Sequence, residues 1–309
     1  MVRCPDVAGM TTREALLVDA FATEPMAGNP AGVVPDAAGL ADAQMQAIAN
    51  ELGASETAFV REGDDTDLAY RYFTPAQEVD LCGHATVAAT VALHERGRLD
   101  VGTASVETQV GTLELEVDAD GRAWMTQDAP TLDRVDGDVD LETVAAALGI
   151  DVAALRDVGA DLPLTSASTG LPWLMVPVNF LEHLGKASPD HAAIEEIADE
   201  AGAVGLYPFT FDTLEAESTL HARAFAPGAG VPEDPVTGTA AGACAAYLDH
   251  HAAVETDEGL RIEQGHFVDR PGFVDAEVGD VVRVGGRAVT VLEGRLVDPP
   301  VEDDEIIEV

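Results

Sequence analysis

The sequence predicts an α+β protein of two pseudo-symmetric domains, each a curved, barrel-like antiparallel β-sheet wrapped around a central α-helix. Strand-like runs dominate both halves of the 309 residues, two segments read as helices that are apolar on nearly every side, and those two segments are copies of one another. A helix without a polar face has to be enclosed, and a chain of this length can bury two separate cores.

In chain order, alternating or β-branched runs read as strands at ALLVDAF (15–21), AGVVP (31–35), ETAFV (56–60), LAYRYFT (68–74), ASVETQV (104–110), TLELEV (112–117) and RAWMTQ (122–127). A second series follows residue 160: LMVPV (174–178), VGLYPFTF (204–211), TLHARAFA (219–226), LRIEQG (260–265), FVDAEV (273–278), VVRVGG (281–286) and AVTVLEGRLV (288–297). Two helices, ADAQMQAIANELG (41–53) and HAAIEEIADEAG (191–202), are amphipathic and end at a glycine suited to a C-terminal cap.

The enclosed pair is GHATVAATVALHERG (83–97) and GTAAGACAAYLDHHA (238–252). They align from Cys82-Gly83-His84-Ala85 against Thr237-Gly238-Thr239-Ala240, and each follows an acidic, proline-containing turn, TPAQEVDL (74–81) or PEDPV (232–236). The stretch 131–150, with a short helix at LETVAAAL, reads as the crossover. That places the domains at 1–130, with its first strand region from about residue 14, and 131–309, with the active-site cleft between them.

Composition limits the partners. Against 57 acidic residues stand 16 basic ones, of which only Lys186 is a lysine, and a formal charge of -41 repels nucleic acid phosphate and anionic membranes. The 47% hydrophobic content excludes a disordered chain, so the acidic excess, scarce lysine and Ala-, Val- and Gly-rich core fit a protein adapted to high salt. Cys4, Cys82 and Cys244 are too few and too scattered for a disulfide framework or a metal cluster, which points to a reducing cytoplasm. No apolar run reaches a membrane span, and residues 1–9, ahead of Met10, read as an extension outside the fold. Cys4, Cys244 and the pair His250-His251 have no partner at ligand spacing and read as structural or exposed.

The chemistry converges on the two helix starts. A helix N-terminus carries free N–H groups and partial positive charge, so CGHA and TGTA facing one another could hold a carboxylate and a developing enolate together. Glycine at 83 and 238 leaves the backbone amides open to close approach. Glu56 shares a strand face with Ala58 and Val60; apolar surroundings there would raise its pKa toward that of a general acid/base, whereas on a strand edge it is one more surface glutamate. His84 can cap its helix, pack in the core or assist catalysis. Asp234 suits a turn or N-cap, and Cys82 at a helix start can have a lowered pKa and serve as a base.

From VDAFATEPMAGNPAGVV (18–34) through ANELGASETAFV (49–60), RYFTPAQEVDLCGHATVAA (71–89), STGLPWLMVPV (168–178) and RAFAPGAGVPEDPVTGTAAGA (223–243) to QGHFVDRPG (264–272), the chain resembles the PhzF-like (phenazine biosynthesis) isomerases. The resemblance implies the two-domain fold shared with diaminopimelate epimerase, a homodimer, and catalysis without metal or coenzyme on a small carboxylated substrate, which in the phenazine enzyme itself is trans-2,3-dihydro-3-hydroxyanthranilate. It implies Glu56 as the acid/base, His84 and Asp234 as residues that orient substrate and assist proton movement, and Ser55, Gly83, Gly238 and Thr239 at the substrate. The epimerase relatives place a cysteine at each helix start, but here the second such position is Thr237, whose hydroxyl is far too weakly acidic to oppose a thiol. An isomerase therefore leads, with Cys82 an auxiliary. The alternatives are an epimerase or racemase using Glu56 and Cys82 as bases on opposite faces, and a catalytically silent binding protein.

Overall fold

In the computed structural model, which describes residues 11–300 apart from 136, 138, 157 and 160, the strand runs join into one long curved sheet that encloses two helices. Cys4 and residues 1–9 lie outside the described residues. Strands Thr12–Ala20, Asn29–Val34, Glu56–Glu62, Leu68–Phe73, Gly102–Thr108, Gly111–Val117 and Ala123–Thr126 pair successively to form the first half. Thr131–Arg134, Thr165–Ser168, Pro172–Pro177, Leu206–Thr210, Leu220–Ala222, Leu260–Gln264, Gly272–Val278 and Val282–Gly286 repeat that path in the second. A seam between Ala123–Thr126 and Val282–Gly286 joins the halves.

Residue 130, near which the domain boundary is expected, lies in the connection between the strands Ala123–Thr126 and Thr131–Arg134. The last strand, Ala288–Val297, crosses back and pairs antiparallel with Thr12–Ala20, covering what would otherwise be an open sheet edge of the first half.

The sheets are mixed rather than wholly antiparallel as the sequence suggested. Four pairings are parallel among the described residues, and each is spanned by helix because parallel neighbours need a crossover. Asp42–Leu52 links Asn29–Val34 to Glu56–Glu62, and Gly83–Glu95 links Leu68–Phe73 to Gly102–Thr108. The second half answers with Leu181–Gly185 and His191–Glu200, then with Gly238–His250. The repeat read in the sequence is thus a repeat of connections.

Gly83–Glu95 buries every residue from Ala85 to Leu93, and Gly238–His250 buries Gly238 and Ala240 to Leu248, Cys244 among them. The strands of each half surround the helix, as its uniformly apolar surface requires. The amphipathic helices lie outside. Asp42–Leu52 packs on Val34, Phe59 and Phe73, while Leu141–Leu148 and His191–Glu200 cover Leu174, Val176 and Phe225. Gly53 at φ 65° ends the first of these in the left-handed region, as expected for a glycine cap. His250 and His251 meet edge to face, with ring centroids 5.0 Å apart, at the C-terminal end of the second central helix. No helix among the described residues is long and apolar enough to cross a membrane.

The backbones of the two halves meet closely at Gly272. Around it, Phe273 N–H donates to Phe21 O at 2.8 Å and Gly28 N–H to Pro271 O at 2.9 Å. A Cβ at position 272 would lie 2.6 Å from Val236 Cγ2, 2.8 Å from Phe21 O and 3.0 Å from Gly28 Cα, closer than such contacts allow. Two of those atoms are backbone of the opposite half and cannot rotate away. Gly272→Ala is therefore expected to destabilise the fold by about 1–3 kcal/mol, the usual cost of overpacking. Thermal melts in molar salt check this, and a variant as stable as the parent would show that the seam yields freely.

Candidate active site

Both central helices point their N-termini at the junction of the halves, where a cavity of about 520 Å³ opens. Ser55, Glu56, Cys82, Gly83 and His84 line it from the first half, and Asp234, Gly238 and Thr239 from the second. The eight site residues expected from the sequence thus share one cavity. The helix caps Cys82 and Thr237 make no side-chain capping hydrogen bond, so neither caps its helix with its own side chain.

Glu56 opens its strand and is paired with Ala31 in the parallel register. Its alternate neighbours Ala58 and Val60 belong to the core around the central helix, and Phe59 faces the outer layer, so Glu56 points toward the helix start. Its carboxylate is 23% exposed, with Oε2 3.3 Å from His84 Nε2, whose side chain is 13% exposed. The carboxylate therefore meets a polar partner, His84, in a cavity whose walls also include the apolar Leu171, Trp173, Val204 and Val236. His84 Nε2 also lies 3.3 Å from Ser55 Oγ, which donates to Pro30 O at 3.3 Å, and His84 Nδ1 lies 3.4 Å from Cys82 Sγ. His84 is the hub of the first half's contribution.

Asp234 faces this group from the second half. Thr237 Oγ1 donates to its Oδ2 at 2.6 Å and Asn29 Nδ2 to its Oδ1 at 2.8 Å. Burial raises the Asp234 carboxyl above the ordinary carboxylate range; His84, Thr237 and Asn29 pull it down, and the Glu56 charge pushes it up. Asn29 is itself buried and also donates to Val236 O at 2.9 Å, so one amide of the first half sets both a carboxylate and a backbone carbonyl of the second.

Four contributors escaped the sequence reading. Besides Asn29, Gln264 donates to Asp234 O at 2.8 Å and accepts the Thr237 amide at 3.2 Å. Arg270, on the cavity wall, donates to Asp19 Oδ1 at 2.6 Å and Gly28 O at 2.9 Å, binding the halves beside Asn29. Trp173 Nε1 donates to Thr239 Oγ1 at 3.3 Å, which leaves that hydroxyl its proton to offer the cavity. Only their inclusion in the motifs GNP, QGH, DRP and LPW marked them.

One expectation needs correction. The Cys82 thiol is pushed well above its ordinary value, not lowered. Burial is the main cause and the Glu56 charge the next, and together they outweigh the amides of Ala85 and His84 at the helix start. Of the two glycines at the helix starts, Gly238 is also tightly packed, since a Cβ there would meet Phe21 Cζ at 3.2 Å, whereas one at Gly83 would make only ordinary contact with Met125 Cε at 3.6 Å. Glu56, Cys82 and His84 each offer a ligand atom within 4.8 Å of the others.

The family described as phenazine biosynthesis-like protein (PhzC-PhzF) matches residues 18–294. The chain is 39% identical over 293 residues to the uncharacterized isomerase YfhB of Bacillus subtilis, covering 93% of this chain and 97% of that one. It is 31% identical to the trans-2,3-dihydro-3-hydroxyanthranilate isomerase of Pseudomonas fluorescens, over 91% of this chain and 98% of that one. The Bacillus anthracis phenazine biosynthesis protein of the PhzF family superposes with a TM-score of 0.84 at 34% identity, covering 93% of this chain and all (100%) of that one. A hydroxyproline epimerase from Agrobacterium vitis shares the fold at a TM-score of 0.57 and 14% identity, covering 94% of each chain.

The raised thiol makes a direct prediction. Cys82 stays protonated near pH 8 and alkylates slowly with iodoacetamide, and Glu56→Gln, by removing the charge that holds the proton on, speeds the reaction several-fold. Peptide mass spectrometry separates Cys82 from Cys4 and Cys244. Rapid labelling in the parent, unchanged by Glu56→Gln, would contradict the electrostatic account.

Proposed function

Because the chain belongs to the phenazine biosynthesis-like PhzC-PhzF family, we propose that it is a cofactor-independent isomerase that moves a proton within a small carboxylated substrate, with Glu56 as general acid/base. The observation that supports this most is the position of Glu56, 3.3 Å from His84 in a cavity onto which both central-helix N-termini open. The substrate carboxylate sits against the backbone at Gly83 and Gly238 and the Thr239 hydroxyl, with Ser55 at the rim. Glu56 takes a proton from carbon, and the charge that develops spreads into the carboxylate, where helix-end amides stabilise it. His84 orients Glu56. Asp234, its carboxyl raised, faces them as a second place to hold a proton. Return of the proton from Glu56 to a different carbon completes the isomerisation.

The epimerase reading is weaker. Bases on opposite faces of one carbon, each within hydrogen-bond reach of it, stand about 5–6 Å apart, whereas Glu56 and Cys82 offer ligand atoms within 4.8 Å on the same half. The raised thiol also lacks the thiolate such a base requires. A silent binder would have no use for Glu56, His84 and Asp234 together.

Glu56→Gln keeps the shape and removes the titrating group. Turnover is expected to fall by about two to four orders of magnitude with substrate binding largely kept, and Cys82→Ala to reduce activity only modestly. Thermal-shift screening of small carboxylic acids in molar salt supplies substrates, and kcat and KM of the variants check the roles. Near-normal turnover in Glu56→Gln sinks the assignment, and Cys82→Ala as dead as Glu56→Gln restores the two-base mechanism.

The active form is a cytoplasmic homodimer held together at high salt. Two chains of formal charge -41 repel one another unless screened, and the Debye length falls from about 10 Å near 0.1 M salt to about 3 Å near 1 M. Sedimentation across a salt series is expected to show dimer in molar salt and dissociation or unfolding on dilution, with sulfate more protective than chloride. A compact, active monomer at every salt concentration refutes the dimer, and an intact dimer at low salt refutes the salt adaptation.

A further inference from the structure

A second cluster of titratable side chains lies outside the cleft, on the strand that carries Gln264. Glu263 precedes Gln264 and pairs in parallel register with His221. His221 Nδ1 lies 2.7 Å from Glu263 Oε1, and both side chains are 0% exposed. The same carboxylate accepts the Leu214 amide at 2.6 Å and the Glu215 amide at 3.0 Å. Two backbone amides and the His221 ring thus converge on its two oxygens, the surroundings that suit a carboxylate. A carboxylate can only accept, so His221 donates from Nδ1, and in the neutral imidazole its Nε2 then offers a lone pair.

That lone pair has no protein partner. His221 Nε2 is buried without a hydrogen bond, and so is Nδ1 of His266, in the turn His266–Val268. The two rings are neighbours, with centroids 5.1 Å apart. Burying an imidazole nitrogen unpaired is costly, and two unpaired nitrogens on neighbouring rings call for a shared partner. An imidazole whose far N–H donates to a carboxylate is also the arrangement that orients a metal-bound histidine.

We infer that His221 and His266, with Glu263 behind them, form a binding site for one divalent cation of the zinc class. His221, Glu263 and His266 each offer a ligand atom within 4.8 Å of the others. Two nitrogens on one such ion each lie about 2.0–2.1 Å from it, and hence up to about 4.2 Å apart, so small rotations close the site. Paired imidazoles select zinc, cobalt, nickel or copper over magnesium or calcium. His266 also lines an adjoining cavity of about 710 Å³, with Glu24, Glu215 and Glu217 on its walls, which supplies an entry path and a carboxylate or water for the remaining positions. The one cation there, Arg261, is engaged by Asp275 at 3.2 Å. The ion takes no part in the chemistry. It braces the strand on which Gln264 holds Asp234 and Thr237.

Tag-free full-length protein, stripped with chelator and kept in molar KCl with millimolar magnesium to occupy surface carboxylates, is titrated with zinc against a chromophoric chelator, and retained metal is counted by mass spectrometry. One zinc per chain is expected, lost in His266→Gln, weakened about 10–100-fold in Glu263→Gln, and unchanged in Cys82→Ala, which disables the cleft's own Glu56–Cys82–His84 group. Cobalt substituted into the parent protein gives visible ligand-field bands if the imidazoles bind it, a readout that needs no variant to fold. No retained zinc, a featureless cobalt spectrum, or zinc lost in Cys82→Ala but kept in folded His266→Gln overturns the inference.

Discussion

A helix that is apolar on every face cannot rest on a surface; it has to be threaded through a core, and this molecule contains two. Enclosing Gly83–Glu95 and Gly238–His250 consumes most of the sheet and forces each half to curl. It also dictates where polar chemistry can go. The body of each helix is sealed, so its N-terminus, with amides that cannot pair within the helix, is the natural place for a polar ligand. Because the two halves repeat one set of connections, the two ends arrive at one junction, and the cavity follows from enclosure and duplication together.

Within that junction the charges are arranged against one another. Glu56 and Asp234 come from opposite halves, each near His84, and each raises the cost of ionising its neighbours: the Cys82 thiol feels both carboxylates, and the Asp234 carboxyl feels Glu56. Hydrogen bonds across the seam hold this arrangement in place. Asn29 reaches from the first half to Asp234 and Val236, Arg270 reaches back from the second to Asp19 and Gly28, and Gly272 lets the two backbones meet. Small shifts between the halves therefore change proton affinities as well as shape.

Much of this was legible in the chain. Strands such as Leu68–Phe73 and Gly111–Val117 announce themselves by alternation, the central helices by unbroken small apolar residues, and the crossover helix Leu141–Leu148 by the run LETVAAAL. Other features were not legible, for physical reasons. Thr165–Ser168, with the sequence TSAS, has little strand propensity and exists because Thr131–Arg134 and Pro172–Pro177 flank it on both sides. Parallel pairing is a long-range outcome that alternation does not encode. Asn29 and Asp234 are 205 positions apart, so nothing local joins them. Cys82 sits where a helix start should lower its pKa, and the depth of burial together with the placement of Glu56 and Asp234 reverses the sign. Among 57 acidic residues, Glu56 stood out by its family motif, not by pattern.

The central claim is that this cleft moves a proton between carbon and a single carboxylate. Turnover in deuterated molar-salt buffer, with the product analysed by NMR and mass spectrometry, tests it most directly. The account predicts deuterium at the newly protonated carbon, with retained substrate proton wherever Glu56 returns it before exchanging with solvent, and neither product nor exchange with Glu56→Gln. Wash-in of deuterium that persists at the parent rate in Glu56→Gln would contradict it.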